Sequence, residues 1–269
     1  MSLPKNFLKR LLLSFGLELH TVGTQQRRSL QGVLENLKKC GLQPATVIDV
    51  GAAFGSWSRT CTTVFPQARF LLIEPLVEYE PMLQKTVASI EKAGYLMCGG
   101  GCAEKKQTLY VHPDLVGSSL KQEYEPHTQS NSIPRTIDCT TIDVLVARQQ
   151  CETPILLKLD IQGAELDALA GANMTLSQTA ALILEVSLID CLKDAPVLAD
   201  VIRVLQEKKF VAYDIFGHNY RPLDKALAQV DIVFVPQSSP LRATKWYANE
   251  QERKVMNERF TKEYAQKEI

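Results

Sequence analysis

The chain has 269 residues, of which 45% are hydrophobic and 22% are charged, and its 30 lysines and arginines balance 30 aspartates and glutamates. This composition supports one large or two small folded domains, and it excludes a disordered chain, a collagen and a coiled coil. Because the formal net charge is zero, no global electrostatic field would hold the chain on nucleic acid or on an anionic membrane.

The cysteines and histidines give no sign of a disulfide framework or a metal site. Seven cysteines are scattered along the chain without any C-x-x-C pair. This pattern suits a reducing compartment, so we expect a cytoplasmic protein. The four histidines, His20, His112, His127 and His218, lack metal-ligand spacing, and no metal site is predicted from them.

The first predicted element is an amphipathic helix near the N-terminus. Its apolar run breaks at Ser14, too soon for a signal peptide, and no small-residue cleavage site follows. We expect this helix to dock on the rest of the protein, and a weak contact with a membrane surface is the alternative. The apolar positions of the helix are Leu3, Phe7, Leu8, Leu11, Leu12, Phe15 and Leu19.

Strands and helices then alternate, which predicts a doubly wound α/β sheet with right-handed crossovers. Most of the strands are apolar on both faces, as in a parallel sheet that helices cover on both sides. The predicted strands are Thr46–Val50, Phe70–Ile73, Tyr95–Met97, Ile155–Asp160 and Ala181–Val186. The predicted helices are one that contains Leu30 to Leu37 and stops at Gly41, one from about Pro81 to Lys92, one over Ala164–Ala170, and one with Asp194 as its N-cap and Pro196 in its first turn.

The last two predicted strands, Phe210–Ile215 and Asp231–Val235, break the alternation, because the 15 residues between them show no helical period. A strand reached without a crossover helix is expected to pair antiparallel. We therefore predict a seven-stranded, mostly parallel, Rossmann-like sheet with an antiparallel edge strand. Residues 113–135 are polar, and we expect a loop over the sheet edge, of the kind that often carries binding function.

A small-residue turn follows the first strand and is the first candidate binding site. The turn reads Asp49-Val50-Gly51-Ala52-Ala53-Phe54-Gly55-Ser56. Small residues between a strand and a helix let a ligand approach the backbone and the helix N-terminus. Ala53 occupies the place of the middle glycine in the dinucleotide fingerprint, which leaves less room for a pyrophosphate. A carboxylate at Asp49 repels phosphate and attracts a cationic amino group.

Glu74 ends the second strand, 25 residues after Asp49. An acidic residue at that place accepts the hydroxyls of a ribose in dinucleotide sites. Together, the two carboxylates and the turn predict a nucleoside with a cationic amino-acid tail and no phosphate, which describes S-adenosyl-L-methionine. The glycine-rich segment before Cys102 and Ala103 is interpreted as a turn that places these two residues near the adenine.

With these residues in place, the chain resembles the FkbM-type S-adenosylmethionine-dependent methyltransferases. The resemblance runs from about Arg28 to Val235 and departs from the family at Gln162, where the family usually has a glutamate. The pattern of apolar and charged residues predicts an N-terminal helical segment over residues 1–43 and a charged, weakly helical tail over residues 245–269. The resemblance implies a methyltransferase domain over residues 44–244. The resemblance is carried by Val47 to Gly55, Thr140-Thr141-Ile142-Asp143, Leu157 to Glu165 with Ala170-Gly171-Ala172, and Asp231 to Val235.

The second candidate site lies at the end of the strand Ile155–Asp160, where two charged residues interrupt an apolar run. Lys158 and Asp160 are two residues apart and share one face of the strand. Buried charges must be paired, and Glu185 on the next strand is a further partner. We interpret Asp160 as a positioner or general base for an acceptor hydroxyl, and Lys158 as the residue that sets its charge. A purely structural ion pair is the alternative.

The sequence thus favours an O-methyltransferase that acts on a hydroxyl of a sugar, glycan precursor or natural product, the acceptor class being what the resemblance implies. A non-catalytic protein that retains the fold and a nicotinamide-dependent oxidoreductase are the alternatives. The predicted catalytic residues are Asp160, Lys158 and Glu185. The predicted cofactor-binding residues are Asp49, Gly51, Ala52, Phe54, Gly55, Ser56, Glu74, Cys102 and Ala103.

Overall fold

The computed structural model describes residues 26–124 and 132–265. The predicted N-terminal amphipathic helix lies outside the described residues, as do His20 and His127. Within the described residues, no helix combines the length and hydropathy needed to cross a lipid bilayer. All seven cysteines are free thiols.

The described chain forms ten strands, eight α-helices and three short 3-10 helices. The strands are β1 (Thr46–Val50), β2 (Arg69–Ile73), β3 (Ala93–Leu96), β4 (Gly99–Gly100), β5 (Lys105–Val111), β6 (Ile133–Thr140), β7 (Ile155–Leu159), β8 (Thr179–Ser187), β9 (Phe210–Tyr220) and β10 (Leu227–Pro236). The α-helices are α1 (Leu30–Lys39), α2 (Ser56–Val64), α3 (Glu80–Ala88), α4 (Ile142–Arg148), α5 (Glu165–Ala170), α6 (Asn173–Ser177), α7 (Leu198–Glu207) and α8 (Glu250–Ala265). The 3-10 helices are Gln26–Arg28, Val77–Tyr79 and Pro240–Arg242.

Seven strands form the main sheet in the order β3-β2-β1-β7-β8-β10-β9. The pairs β3-β2, β2-β1, β1-β7 and β7-β8 are parallel, and β10 is antiparallel to both β8 and β9. The chain moves outward from β1 in one direction through β2 and β3, and in the other through β7 and β8. The switch point therefore lies between β1 and β7, where open α/β sheets bind their ligands.

The predicted seven-stranded, mostly parallel sheet is confirmed, with one difference in position. The antiparallel strand is β10, which lies one place in from the edge, and β9 forms the edge. The two strands extend into the connection between them, so that a long hairpin turns over residues 221–226. The hairpin is possible without a crossover helix because antiparallel strands need only a short turn.

A second, three-stranded sheet of order β4-β6-β5 lies beside the main sheet. Its strands β5 and β6 pair antiparallel, from Lys105 opposite Cys139 to Val111 opposite Ile133. This sheet was not predicted, because its strands are polar and exposed on one face and bury few residues, such as Leu109, Ile137 and Cys139. The predicted loop over residues 113–135 is the connection between β5 and β6, and its last residues belong to β6.

The helices cover both faces of the main sheet. On one face, Val33, Leu34 and Leu37 of α1 are fully buried in a core that also contains Cys61 and Val64 of α2. On the other face, residues of α4, α5 and α7 pack against the sheet in a second core. The strand β1 is buried along its whole length between these two layers, as its apolar sequence predicts.

The helix α7 begins differently from the prediction. Its N-cap is Val197, whose backbone N–H donates to the Asp200 carboxylate at 3.2 Å. Asp194 lies before the helix with a positive φ of 57° and does not cap it, so the predicted N-cap was wrong. An acidic residue in the first turn stabilises the free N–H groups and the positive end of the helix.

Candidate functional site

The predicted site residues of the two strand ends come together at the carboxyl ends of β1 and β7. These strands are paired in register, with Asp49 opposite Lys158 and Val50 opposite Leu159. The Asp160 backbone N–H continues the ladder by donating to the Val50 carbonyl at 3.1 Å. The small-residue turn after β1 and the polar residues after β7 are therefore neighbours, although more than 100 residues separate them in sequence.

The turn after β1 depends on its glycines. Gly51 and Gly55 have φ values of +76° and +79°, which favour glycine over all other residues. A Cβ on Gly51 would overlap the carbonyl oxygen of Asp160, and one on Gly55 would lie 2.6 Å from a methyl carbon of Thr86. Gly55 is also the N-cap of α2. The turn thus requires glycine both for its conformation and for its close approach to β7 and α3.

Asp49 is fully buried and is already paired. Its carboxylate lies 3.1 Å from Lys158 Nζ and accepts a hydrogen bond of 2.7 Å from Ser58 Oγ. Lys158 also lies 3.3 Å from the Asp160 carboxylate and donates to the Gly51 carbonyl at 3.0 Å. The structure therefore places Asp49 beneath the turn, where its cationic partner is a lysine of the protein itself.

The lysine between the two aspartates stays charged. Burial on its own lowers the pKa of Lys158, but Asp160 and Asp49 outweigh this effect and raise the pKa above its ordinary value. A buried pair of this kind is costly to break, because removal of one partner leaves an uncompensated charge. Lys158 thereby neutralises the carboxylate of Asp160 while holding the turn through the Gly51 carbonyl.

Glu74 supports the turn from β2. One carboxylate oxygen accepts the Ala53 N–H at 2.8 Å, and the other accepts the Leu76 N–H at 2.9 Å. Burial raises the pKa of Glu74, and these two hydrogen bonds act in the opposite direction. Each oxygen retains a second lone pair, so the carboxylate can still accept hydroxyl groups of a ligand.

Asp160 belongs to a network of amides and carboxyls that crosses three strands. Gln162 Nε2 donates to Asp160 at 3.1 Å and to Glu185 at 2.8 Å. Gln229 on β10 donates to the same Glu185 oxygen at 2.9 Å. Asp231 lies opposite Glu185 in the antiparallel pair β8-β10. The predicted partnership between Asp160 and Glu185 thus runs through the amide of Gln162.

Two carboxyl groups of this network have raised pKa values. Burial raises the pKa of Glu185 to about 8, and the charges of Asp160 and Asp231 add to the effect. Burial likewise raises the pKa of Asp231 to about 7, with a further contribution from Asp160. Neighbouring carboxyls titrate together, so the cluster holds a proton at neutral pH that ordinary carboxyls would have lost.

These shifts predict that the protein loses stability as the pH rises from 6 to 8.5. A carboxyl whose folded pKa is raised contributes stability that is complete below its unfolded pKa of roughly 4 and is lost as the pH passes the folded pKa. Asp231→Asn should flatten this dependence and raise the melting temperature at pH 8.5 by about 2–4 °C, the shift that 1 kcal/mol gives a chain of this size.

Thermal melts of the wild type and two variants at several pH values test this expectation. The control is Asp138→Asn, which removes an exposed carboxylate on β6 that is paired with Lys106. That change should leave the pH dependence as it is in the wild type. The prediction would be contradicted if the melting temperature of Asp231→Asn changed with pH as steeply as that of the wild type.

Glu165 holds the backbone of the loop that follows β7. One oxygen of its buried carboxyl accepts the N–H groups of Ile161 and Gly163, at 3.0 and 3.2 Å. Burial raises the pKa of Glu165 to about 7, against the effect of these hydrogen bonds. The residue therefore shapes the loop that carries Gln162, whose φ is +50°.

A cavity of about 150 Å³ opens beside these residues. Of the predicted site residues, Gly51, Glu74, Asp160 and Glu185 line it. Ala53 lines it in place of the predicted Ala52, which is buried in the core. The wall near β4 is formed by Cys98, Gly99 and Gly100, whereas Cys102 and Ala103 are exposed beyond it. Phe54 and Ser56 are exposed and do not belong to the lining.

The roof of the cavity was missed in the sequence. It consists of apolar residues from the small sheet and from the connection between β5 and β6: Leu109, Leu115, Val116, Leu120 and Ile137. The connection is anchored by Ser119, which pairs with Tyr110 and donates through its hydroxyl to the Gln162 carbonyl at 2.5 Å. The sequence feature that could have indicated these lining residues is the presence of apolar side chains at 115, 116 and 120 within an otherwise polar loop.

Three solved methyltransferases illustrate the structural similarity. A methyltransferase FkbM from Methylobacillus flagellatus KT is 18% identical, with a TM-score of 0.46 over 70% of this chain and 43% of that one. The Burkholderia thailandensis 1,6-didemethyltoxoflavin-N1-methyltransferase, with S-adenosylhomocysteine bound, is 12% identical, with a TM-score of 0.41 over 88% and 91% of the chains. Aeropyrum pernix fibrillarin, with S-adenosyl-L-methionine bound, is 12% identical, with a TM-score of 0.44 over 76% and 73%.

The chain thus spans less than half the length of the Methylobacillus protein. A comparison with curated proteins gave no match. A comparison with family models matched the methyltransferase FkbM domain over residues 49–212, from the buried aspartate of β1 into β9. This match covers more than half of the 269 residues. The chain therefore belongs to the FkbM methyltransferase family.

Proposed function

We propose that the protein is an S-adenosyl-L-methionine-dependent O-methyltransferase whose acceptor is a hydroxyl group of a sugar, glycan precursor or natural product. The observation that carries the proposal is a cavity that joins the small-residue turn, Glu74 and Asp160 at the switch point of the sheet. The family supplies the reaction class, and the sugar-like acceptor is an analogy with the family.

The chemistry of the cavity lining fits the cofactor. Gly51 and Ala53 leave the backbone of the turn open, Glu74 offers carboxylate oxygens for a ribose, and the apolar roof suits an adenine ring. When bound, S-adenosyl-L-methionine supplies an activated methyl group.

Asp160 is the group that would handle the acceptor. Its side chain is about one-third exposed and lines the cavity. One oxygen faces Lys158 and the other accepts from Gln162, so the carboxylate is held in place and can accept the hydroxyl proton. In-line methyl transfer depends strongly on correct placement of the hydroxyl oxygen, and a carboxylate held from two sides provides such placement.

Calorimetry with S-adenosylhomocysteine and with NAD tests the cofactor assignment. We expect binding of the first and none of the second. A panel of sugars, glycan precursors and phenolic compounds, assayed with S-adenosyl-L-methionine for release of S-adenosylhomocysteine, then tests the acceptor class. Binding of NAD alone would overturn the proposal in favour of an oxidoreductase, and cofactor binding without turnover on any hydroxyl acceptor would overturn the O-methyltransferase assignment.

Glu74→Ala should weaken S-adenosylhomocysteine binding by about 1.5–3 kcal/mol, the range for a lost hydrogen bond to a charged group. The structure adds an effect on stability, because Ala53 and Leu76 would lose their N–H acceptors. The control is Glu78→Ala, four residues along the chain, which removes a carboxylate that binds Arg135 outside the cavity. Calorimetry on both variants tests whether Glu74 binds the ribose. If Glu74→Ala and Glu78→Ala bind S-adenosylhomocysteine with equal affinity, Glu74 does not have this role.

A further inference from the structure

Gln162 occupies a central position among the charged groups of the cavity. Its single amide nitrogen donates to Asp160 at 3.1 Å and to Glu185 at 2.8 Å. Its backbone is held by the Ser119 hydroxyl at the carbonyl, and the loop around it by the Glu165 carboxyl. The backbone of Gln162 is therefore held in place by Ser119 and Glu165, and its side-chain amide reaches the carboxylate of Asp160.

The bond from Gln162 complements the one from Lys158. Lys158 approaches one oxygen of Asp160, at 3.3 Å, and Gln162 approaches the other, at 3.1 Å. Two donors on different oxygens determine the plane of a carboxylate, whereas one donor leaves it free to rotate. The Asp160 residue held in this way lines the cavity.

We propose that Gln162 is a positioning residue for methyl transfer, whose amide fixes the Asp160 carboxylate against the acceptor hydroxyl and couples it to Glu185. This inference rests on the proposed function, since it concerns the same Asp160. The family usually has a glutamate at this position, so the neutral hydrogen-bond donor is a property of this chain. An ionised glutamate of the same shape has no proton to donate, and it would face both carboxyl groups as a like charge.

The charges that surround Gln162 make its replacement sensitive to pH. Asp160, Glu185 and Asp231 form the acidic side of the network, together with the buried Glu165. Lys158 is the cation of the cluster, and it is shared between Asp49 and Asp160. A glutamate at 162 would therefore have a raised pKa in the folded protein, and it could donate a hydrogen bond at low pH but not at high pH.

The experiment compares Gln162→Glu with Gln229→Glu. Both changes remove an amide donor from the same oxygen of Glu185 and add a carboxylate beside it, but only the first removes a donor from Asp160. The readouts are thermal melts of the chain without ligand from pH 5.5 to 8.5, calorimetry with S-adenosylhomocysteine, and kcat and KM for the acceptor that the panel identifies.

For Gln162→Glu we expect a melting temperature near that of the wild type at pH 5.5 and a deficit that grows as the pH rises. We expect kcat at pH 8 to fall at least 10-fold, the deficit in kcat to shrink towards pH 6, and KM and S-adenosylhomocysteine affinity to change less than 3-fold. Gln229→Glu should lower kcat much less.

Three results are decisive. A thermal deficit of Gln162→Glu that does not depend on pH would overturn the inference, because the residue at 162 would then not face ionised carboxyls. Equal kcat values in the two variants would also overturn it, since the contact with Asp160 would have no effect on the reaction. Failure of the wild type to bind S-adenosylhomocysteine would instead refute the proposed function, while the thermal melts would still show whether residue 162 faces the carboxyl cluster.

Discussion

Gly51→Ala is expected to abolish measurable binding of S-adenosylhomocysteine, with a loss of affinity of at least 100-fold. The new Cβ would overlap the carbonyl oxygen of Asp160, so β1 and β7 could not keep their present approach at the switch point. Both the turn and the Asp160 carboxylate would move. Binding would be lost because the new Cβ collides with the backbone of Asp160, and not because it fills the space of the ligand.

Gly41→Ala is the matched control for this prediction. Gly41 also has a positive φ, of +106°, but a Cβ there would meet nothing within 4 Å. Both variants carry the conformational cost of a side chain at positive φ, which is about 1–2 kcal/mol. Calorimetry and thermal melts on the pair therefore separate backbone strain from the collision. Retained binding in Gly51→Ala would mean that the cofactor site lies elsewhere.

Asp160→Asn is expected to lower kcat by roughly 100-fold or more, the scale on which removal of a general base acts. An asparagine keeps the shape of the side chain but accepts a proton poorly. The fold should persist, because Lys158 would keep its ion pair with Asp49 at 3.1 Å and its hydrogen bond to the Gly51 carbonyl at 3.0 Å. Affinity for S-adenosylhomocysteine should change much less than kcat.

Asp49→Asn serves as the contrasting variant. Asp49 is fully buried and holds both Lys158 and Ser58, so its neutralisation should lower the melting temperature more than Asp160→Asn does. Turnover of the acceptor and thermal melts on the two variants distinguish the roles. An Asp160→Asn protein with normal kcat and a clearly reduced melting temperature would contradict a catalytic role and assign the residue to the structural ion pair.

The strands of the main sheet and the turn after β1 could be predicted from the sequence. The strands β1, β2, β7 and β8 are short and mostly apolar on both faces, and such runs are stable only between two layers of helices. Gly51 and Gly55 predicted a turn with a close approach to the backbone. Lys158 within an apolar strand predicted a buried ion pair. These features are local in sequence, because each depends on the period and the chemistry of one segment.

Which of these residues face the cavity depends on contacts between segments that are distant in sequence. Asp49 was predicted to meet a cationic ligand, but the register of β1 with β7 places Lys158 against it. Gln162 was read only as a departure from a family pattern, and its role depends on Glu185 from another strand. Neither the register between strands nor a contact across 23 residues can be read from the period of a single segment.

The roof of the cavity also could not be predicted from the sequence, for a different physical reason. The strands β5 and β6 are polar on their exposed faces, so their alternation is weak and the small sheet was not predicted. Leu115, Val116 and Leu120 stand in a polar loop and acquire a function only where that loop lies over the switch point. The position of the loop depends on the Ser119 contacts with Tyr110 and Gln162, which form only once the separate segments are folded together.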